Sequence, residues 1–175
     1  MDGREGKEIQ IAEYDELWEA AFISESEILR ATIREYIVGG IEHVGSTSVS
    51  GLAAKPIVDI QVGVAGLKES RSAFSDLEAI GYNYDSVHPN EMHFFDKRES
   101  GIQPINLQLI PFRSDCWNKR IAFRDYLRAH PAVACEYAEL KRDLARRFPL
   151  DSLGYTAGKS DYIRTTVRQA MGVPR

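Results

Sequence analysis

The sequence predicts an α+β fold in which a mixed β-sheet with flanking helices is followed by a C-terminal helical segment. Short apolar runs and alternating runs fill residues 41–110 and are typical of strands. A helical pattern at 66–80 falls between them and would serve as a crossover helix. From residue 114 onward the apolar period is helical. We therefore expect a sheet-bearing core with an N-terminal helix at 1–112 and a helical segment at 113–175, packed together as one compact unit.

The first half of the chain is predicted to hold one long helix and five strands. The helix covers residues 13–37, with Asp15 as its N-cap and Gly39 and Gly40 at its end. Its expected apolar stripe consists of Leu17, Ala21, Ile28, Ala31 and Ile37. The strands are predicted at residues 41–44, 57–64, 82–84, 92–95 and 103–110. Pro104 belongs at the start of the last strand, where its missing N–H does least harm.

The second half is predicted to be three helices. The first covers residues 115–129 and is capped by Ser114 or Asp115. Pro131 suits the first turn of the next helix, which continues to residue 148. A break around Asp151 precedes the last helix, which ends near residue 171.

The composition excludes several classes of protein. With 43% hydrophobic and 27% charged residues, the chain is neither disordered nor fibrous. No apolar run reaches the roughly 18 residues that span a membrane, and residues 1–16 lack the basic and apolar regions of a signal peptide. Cys116 and Cys135 are the only cysteines and form no CxxC pair, so a disulfide framework or zinc site is not expected. We expect a cytoplasmic protein without a membrane partner.

Charge is distributed unevenly along the chain. Residues 1–112 carry a net charge of −10, and residues 113–175 carry +6. One interpretation is an anionic ligand held between the two halves, with a metal on the acidic side. The other is that amphipathic helices simply have charged outer faces. No basic block is dense enough to predict nucleic-acid binding.

A Gly-Ser turn, residues 45–48, lies in the stretch VGSTSVSGLAAKPIVDIQV between two predicted strands. Gly45 lets the backbone approach a phosphate closely, and the amides after it could bind phosphate oxygens. The neighbouring hydroxyls belong to Ser46, Thr47 and Ser48. The alternative is an ordinary Ser/Thr-rich loop. Asp59 lies within the apolar second strand, where a carboxylate is expensive to bury unless the protein uses it.

Twelve residues separate Gly45-Ser46 from Asp59, and this spacing resembles the nucleotidyltransferase superfamily, which has a polymerase-beta-like fold. A closer resemblance is to the GrpB family. It rests on IEHVGSTSVSGLAAKPIVDIQVGV at 41–64, on FRDYLRAHPAVACEYAELKRDLARRF at 123–148, and on a late Y-x-x-x-K pattern, here Tyr155 and Lys159. The resemblance implies a nucleotidyltransferase-like fold. It also implies a nucleotide or another phosphate-containing small molecule as the ligand, and metal-dependent nucleotidyl transfer as a candidate activity.

The resemblance also implies roles for individual residues. Asp59 would be the catalytic residue and the main ligand of Mg²⁺ or Mn²⁺, because carboxylates suit hard cations. Gln61 and Gln108 would be further metal ligands through their amide oxygens. The residues expected to bind phosphate are Gly45, Ser46, Thr47, Lys55 and Lys159. Lys55 has the alternative role of neutralising Asp59.

The sequence departs from the superfamily pattern at two strands. Gln61 stands where a second metal carboxylate is usual, and the later strand offers Asn106 and Gln108, which share a face by the two-residue period of strands. Uncharged amides would bind a metal more weakly than carboxylates. The alternative function is therefore a non-catalytic module that binds a ligand or partner through a degraded metal site. A homo-oligomer is also compatible with the sequence.

Other polar residues have open interpretations. His43 is either a site residue or a core histidine, and Glu42, facing the opposite way, could cap the loop or pair with a basic residue. His88 and His93, with Glu91 between them, are either a metal set or exposed loop residues. Three arginines recur on one helix face and could face solvent or reach an anionic ligand; they are Arg120, Arg124 and Arg128.

Overall fold

The computed structural model describes residues 8–86 and 90–172. Its strands are β1 (Ile41–Val44), β2 (Val58–Val64), β3 (Asn83–Asp85), β4 (His93–Lys97) and β5 (Ile105–Pro111). Its α-helices are α1 (Leu17–Thr32), α2 (Phe74–Ala79), α3 (Asp115–Ala129), α4 (Pro131–Arg147) and α5 (Ser152–Ala170). The predicted α+β class is confirmed. In the described part of the chain, no helix is long and apolar enough to cross a membrane.

The five strands form one mixed sheet in the order β1-β2-β5-β4-β3. β2 and β5 are parallel, and the other neighbouring strands are antiparallel. The register places Asp59 opposite Asn106 and Gln61 opposite Gln108. Because residues opposite each other point to the same side of a sheet, these four side chains share one face, as the sequence predicted for Asn106 and Gln108.

The two faces of the sheet are covered differently. On one face, alternate residues of β2 such as Val58 and Ile60 pack with Trp18 and Leu29 of α1 and with Leu77 of α2. The opposite face carries Asp59 and contacts α3 at β1 and β5. The buried Trp117 of α3 packs there against Ile110. The face of the sheet that carries Asp59 is therefore covered by α3.

The structure corrects the predicted stripe of α1. Leu17 and Ile28, expected in the core, are 67% and 38% exposed, whereas Trp18, Glu25 and Leu29 are buried. Glu25 forms a buried ion pair with Lys97 of β4, at 3.1 Å, and accepts a hydrogen bond from Tyr82 at 2.9 Å. The Lys97 cation lets Glu25 take a buried position on this face. Of the other predicted stripe residues, Ala21 and Ile37 pack partly buried against the core and Ala31 is exposed. The helix is also shorter than the predicted 13–37, because a separate 3₁₀ turn follows it at Arg34–Tyr36.

The starts of α3 and α4 form as predicted, whereas the cap of α1 is displaced by one residue. Ser114 accepts from the amide of Trp117 at 3.3 Å. Asp15 accepts from the amide of Leu17 at 2.9 Å, but the N-cap of α1 is Glu16, whose side chain makes no capping hydrogen bond. Pro131 occupies the first turn of α4. The crossover predicted at 66–80 is only partly α-helical, since a 3₁₀ turn at Glu69–Ala73 precedes α2.

The loop between β1 and β2 is fixed by the C-terminal helices. Val49, Leu52 and Ala53 of this loop form a buried cluster with residues of α3 and α4, among them Leu127 and Tyr137. An isolated bridge between Ala12 and Ala54 holds its far end. The Gly-Ser turn is thus held between the sheet and the helical segment.

Candidate functional site

The Gly-Ser turn lies directly against Asp59. Gly45 has φ +72° and ψ −173°, a backbone conformation essentially restricted to glycine. A Cβ added at Gly45 would lie 2.5 Å from Asp59 Oδ2 and 3.1 Å from Asp59 Cβ. The antiparallel register, with Val44 opposite Asp59, explains this closeness. The structure therefore brings together the two features that the sequence spacing singled out.

The polar groups of the Gly-Ser turn point in different directions. Ser46–Ser48 form one 3₁₀ turn, so the first amides, those of Ser46 and Thr47, have no intrahelical acceptor. The Ser48 hydroxyl donates to Gly45 O at 2.6 Å, and the Thr47 hydroxyl donates to Ile57 O at 3.3 Å. The Thr47 hydroxyl is thus held by the loop backbone, while its amide remains at the start of the turn.

The Ser46 side chain lies near the hydroxyl of a buried tyrosine, Tyr137. Burial raises the pKa of the Tyr137 hydroxyl, and the proximity of Ser46 partly opposes that rise. Tyr137 comes from α4, and its ring stacks on that of Tyr162 with centroids 5.4 Å apart. The helical segment therefore reaches the Gly-Ser turn at Ser46.

Two lysines face the same buried aromatic ring beside Asp59. Lys159 Nζ lies 4.3 Å, and Lys55 Nζ 5.1 Å, from the centroid of the Tyr155 ring. Burial and the nearby Lys55 lower the pKa of Lys159 to about 8, against the opposing influence of Asp59. Burial also lowers the pKa of Lys55, again against the influence of Asp59. Both lysines are therefore within electrostatic range of Asp59.

We call this cluster the Asp59 site; it consists of Gly45, Ser46, Lys55, Asp59 and Lys159.

Asp59 accepts hydrogen bonds from two side-chain amides of β5. Asn106 Nδ2 donates to Asp59 Oδ1 at 2.8 Å, and Gln108 Nε2 donates to the same oxygen at 3.4 Å. The amide oxygens accept from arginines, Asn106 from Arg98 and Gln108 from Arg120 at 3.3 Å. Since a carboxylate only accepts and a guanidinium only donates, this network fixes which way both amides point.

The residues at Asp59 do not fit the two-metal site that the superfamily resemblance implies. Asp59 supplies one carboxylate, and the oxygens of Asn106 and Gln108 are directed at arginines instead of at a shared ion. Gln61 is fully buried, and neither atom of its amide has a hydrogen-bond partner. Within residues 8–86 and 90–172, no group of three His, Cys, Asp or Glu side chains is arranged to hold a metal ion.

The arginines of α3 connect the helix to the sheet and to the loop. Arg124 pairs with Glu42 at 2.7 Å and donates to His43 O at 3.0 Å. Arg128 donates to Ser48 O at 2.7 Å, and Arg120 reaches Gln108. Of the alternatives left open for Glu42, the structure shows the pairing with a basic residue. These arginines therefore hold α3 against β1, β5 and the Gly-Ser turn.

His43 and His93 lie on the face of the sheet opposite Asp59. His43 faces the core side of the sheet, where it stacks on Phe22 with centroids 4.9 Å apart and shares a 3.0 Å hydrogen bond with Thr47. Burial, with Arg128 and Arg124 nearby, lowers the pKa of His43 to about 4, so the ring is neutral at pH 7. The structure thus shows the core alternative for His43.

The proposed histidine metal set is not assembled by the described residues. His93 is buried, and its Nε2 donates to Leu67 O at 2.7 Å. Glu91 is exposed. His88 lies outside the described residues.

Sequence reasoning missed Arg98, Tyr137 and Lys141. Arg98 follows β4, and only the hairpin register of β4 with β5 shows that it comes back to Asn106. Lys141 is buried over the Tyr137 ring, at 4.7 Å, and donates to Ala53 O. Burial lowers the pKa of Lys141 to about 7. No local pattern identifies either α4 residue, because both act through packing on the distant loop.

A separate cavity of about 750 Å³ lies behind the loop, between α1 and α4. Its lining includes His43, Ser48, Leu52, Arg128 and Cys135, and none of the residues of the Asp59 site. Thr47, one of the residues predicted to bind phosphate, also lines this cavity.

Comparison with known proteins places these observations in a family. The GrpB protein family model matches residues 8–169. The Glutamate-rich protein GrpB of Alkalihalophilus pseudofirmus is 35% identical over 161 residues, covering 89% of this chain and 92% of the relative. The crystal structure of conserved protein GrpB from Enterococcus faecalis superposes with a TM-score of 0.84 at 30% identity, covering 93% of this chain and 98% of that one.

More distant solved structures share the fold of this chain. The Cid1 poly(U) polymerase, in a structure with Mg 3′-dATP bound, matches with a TM-score of 0.57 at 11% identity. The match covers 85% of this chain and 49% of the polymerase. At this identity the likeness concerns the fold alone, and it confirms the predicted nucleotidyltransferase-like architecture.

Proposed function

The chain belongs to the GrpB family, and from that membership and the geometry of the Asp59 site we propose that it binds a nucleotide or another phosphate-containing small molecule. The ligand's phosphates would lie between the Gly-Ser turn and the ammonium groups of Lys55 and Lys159. The proposed function is ligand binding, and catalysis is treated below as a second candidate function.

The two lysines that contact one aromatic ring in the neighbourhood of Asp59 carry this proposal. The Ser46 and Thr47 amides, which have no acceptor within the 3₁₀ turn, would be further donors to a phosphate. Lys55 and Lys159 share the Tyr155 ring, and both are within electrostatic range of Asp59. The missing side chain of Gly45 lets Asp59 lie against the Gly-Ser turn, beside these cations.

Calorimetric titration tests the proposal. ATP, CTP, GTP, UTP and inorganic tripolyphosphate are titrated into the wild type and into Lys55→Met and Lys159→Met variants. We expect each substitution to weaken binding by about tenfold, since each removes one ammonium from a partly desolvated site. Lys68→Met, at an exposed position outside the site, is the matched control and should bind normally. Absence of binding for all five ligands would contradict the proposal.

Metal-dependent nucleotidyl transfer is the second candidate. It is supported by the position of Asp59 beside the Gly-Ser turn on a fold shared with a poly(U) polymerase. The single carboxylate and the orientation of the β5 amides count against it. Release of pyrophosphate from a nucleoside triphosphate, in the presence of Mg²⁺ or Mn²⁺ and a pool of hydroxyl acceptors, tests it. The activity should disappear in Asp59→Asn if transfer takes place at this site.

A further inference from the structure

We infer that the Asp59 site takes its phosphate ligand without a divalent metal, with the ammonium groups of Lys55 and Lys159 supplying the positive charge. This inference rests on the proposed function and deepens it, because it identifies the ligand class as a metal-free polyphosphate, either inorganic or part of a nucleotide.

Both carboxylate oxygens of Asp59 already have partners, which a metal ion would have to displace. Its Oδ1 accepts from Asn106 at 2.8 Å and from Gln108 at 3.4 Å, and its Oδ2 lies against Gly45. An ion bound at Oδ1 would have to displace two amide donors. At Oδ2 it would have to enter the tight contact with the Gly-Ser turn.

The amides cannot become metal ligands without breaking the rest of the network. Turning Asn106 so that its oxygen faces Asp59 would direct its NH₂ group at the Arg98 guanidinium, which is also a donor. The same holds for Gln108 and Arg120. Each rotation would lose two hydrogen bonds and create two repulsive contacts.

The charges around Asp59 favour binding of an anion over binding of a metal ion. Within the described part of the chain, four cations converge on Asp59 and its two amides: Lys55, Arg98, Arg120 and Lys159. Asp59 offsets one of these charges, and Asp96, which lies 3.9 Å from Arg98, offsets part of another. The remaining excess is positive. A divalent ion would add to it, whereas a polyphosphate would neutralise it.

The lysines are held in place for this role by the protein. Both lie over the ring of Tyr155, which is itself buried, and Lys159 comes from α5 while Lys55 comes from the loop before β2. Burial and the neighbouring Lys55 lower the pKa of Lys159 to about 8, which means that the charged form of this lysine is disfavoured in the free protein. An anion bound near both ammonium groups would stabilise their charged forms.

Calorimetric titration of inorganic tripolyphosphate, in EDTA and in excess Mg²⁺, tests the inference on the full chain. We expect binding in EDTA to be at least as tight as in Mg²⁺, because the magnesium complex of the ligand carries less negative charge. Binding that requires Mg²⁺ would overturn the inference while leaving the proposed function intact. If the wild type bound neither tripolyphosphate nor the four nucleotides under either condition, the proposed function would fail, and the inference with it.

Substitution of Asp59 gives an independent test with an opposite sign for the two models. Asp59→Asn removes the anion that competes for the lysines, so tripolyphosphate should bind about tenfold more tightly in EDTA. A metal site would instead lose binding. Asp115→Asn, which removes an exposed carboxylate on α3, is the charge-matched control and should leave the affinity unchanged.

A lysine variant tests the inference even if the Asp59→Asn protein fails to fold. Lys159→Met should lose about tenfold in affinity in EDTA, with an unchanged thermal transition. Unchanged affinity in Lys159→Met, or weaker binding by a folded Asp59→Asn, would overturn the inference.

Discussion

Replacing Gly45 by alanine tests the contact on which the Asp59 site is built. The new Cβ would lie 2.5 Å from Asp59 Oδ2, which real Cβ atoms essentially never show, so the carboxylate or the turn must move. The backbone at this position, with φ +72° and ψ −173°, also strains any residue other than glycine. Two separate costs therefore fall on one substitution.

The size of the effect follows from these two costs. Backbone strain of this kind costs about 1–3 kcal/mol. Displacement of the Asp59 carboxylate weakens its hydrogen bond from Asn106, which contributes about 1 kcal/mol. We expect Gly45→Ala to lower the free energy of unfolding by about 3 kcal/mol, which in a chain of this size lowers the Tm by about 9 °C.

Gly51→Ala is the matched control. Gly51 also has a positive φ, +76°, but an added Cβ would meet nothing within 4 Å. Only the backbone cost remains, about 1–2 kcal/mol, so the Tm should fall by about 4 °C. Both values are measured by differential scanning calorimetry and checked by urea unfolding.

Equal destabilisation by the two substitutions would refute the contact between Gly45 and Asp59. An Asp59→Ala background sharpens the comparison, because it removes Oδ2 and should reduce the extra cost of Gly45→Ala. A cost of Gly45→Ala that stays the same in this background would again show that the carboxylate is not what the new Cβ meets.

Three further predictions concern buried polar groups. Lys97→Met leaves Glu25 buried without its cation and should lower the free energy of unfolding, measured in urea, by about 3–5 kcal/mol. Adding Glu25→Met should recover most of this loss. A double variant no more stable than Lys97→Met would contradict the ion pair. Gln61→Leu should raise the free energy of unfolding by about 1 kcal/mol, because it removes an amide without partners; a loss of stability would indicate a bound group that Gln61 holds. Binding of tripolyphosphate should weaken as the pH rises through about 8, because Lys159 is charged below its pKa and neutral above it. In Lys159→Arg the affinity should not change with pH over this range, because arginine stays charged. An equally steep dependence of affinity on pH in that variant would assign the titration to another group.

Local signals predicted much of the fold. The hydrogen bonds at Asp15 and Ser114 and the proline at the start of α4 involve residues a few positions apart, so the sequence displays them directly. The buried face of α1 was predicted only in part, since Leu17 and Ile28 are exposed and the buried Glu25 pairs with Lys97, 72 residues away. No periodicity within the helix can reveal a partner on β4.

The site divides in the same way. The Gly-Ser turn and Asp59 were recognised from their spacing, since an antiparallel hairpin brings such segments together. The sequence also singled out Lys55 and Lys159, and the structure brings both to the same ring. The network that determines how Asp59 is used could not be predicted, because Arg98 reaches it through a hairpin register.

The pairing of β2 with β5 has a consequence for the order of folding. Asp59 meets its amide partners from 47 and 49 residues further along the chain, and the two strands are parallel, so no hairpin can bring them together. The donors arrive only when β5 has been inserted between β2 and β4. Until then Asp59 is a solitary carboxylate on an apolar strand. On the proposed function, tripolyphosphate binding should therefore recover during refolding only when the sheet closes. That step is expected to be slow because it needs contacts distant in sequence.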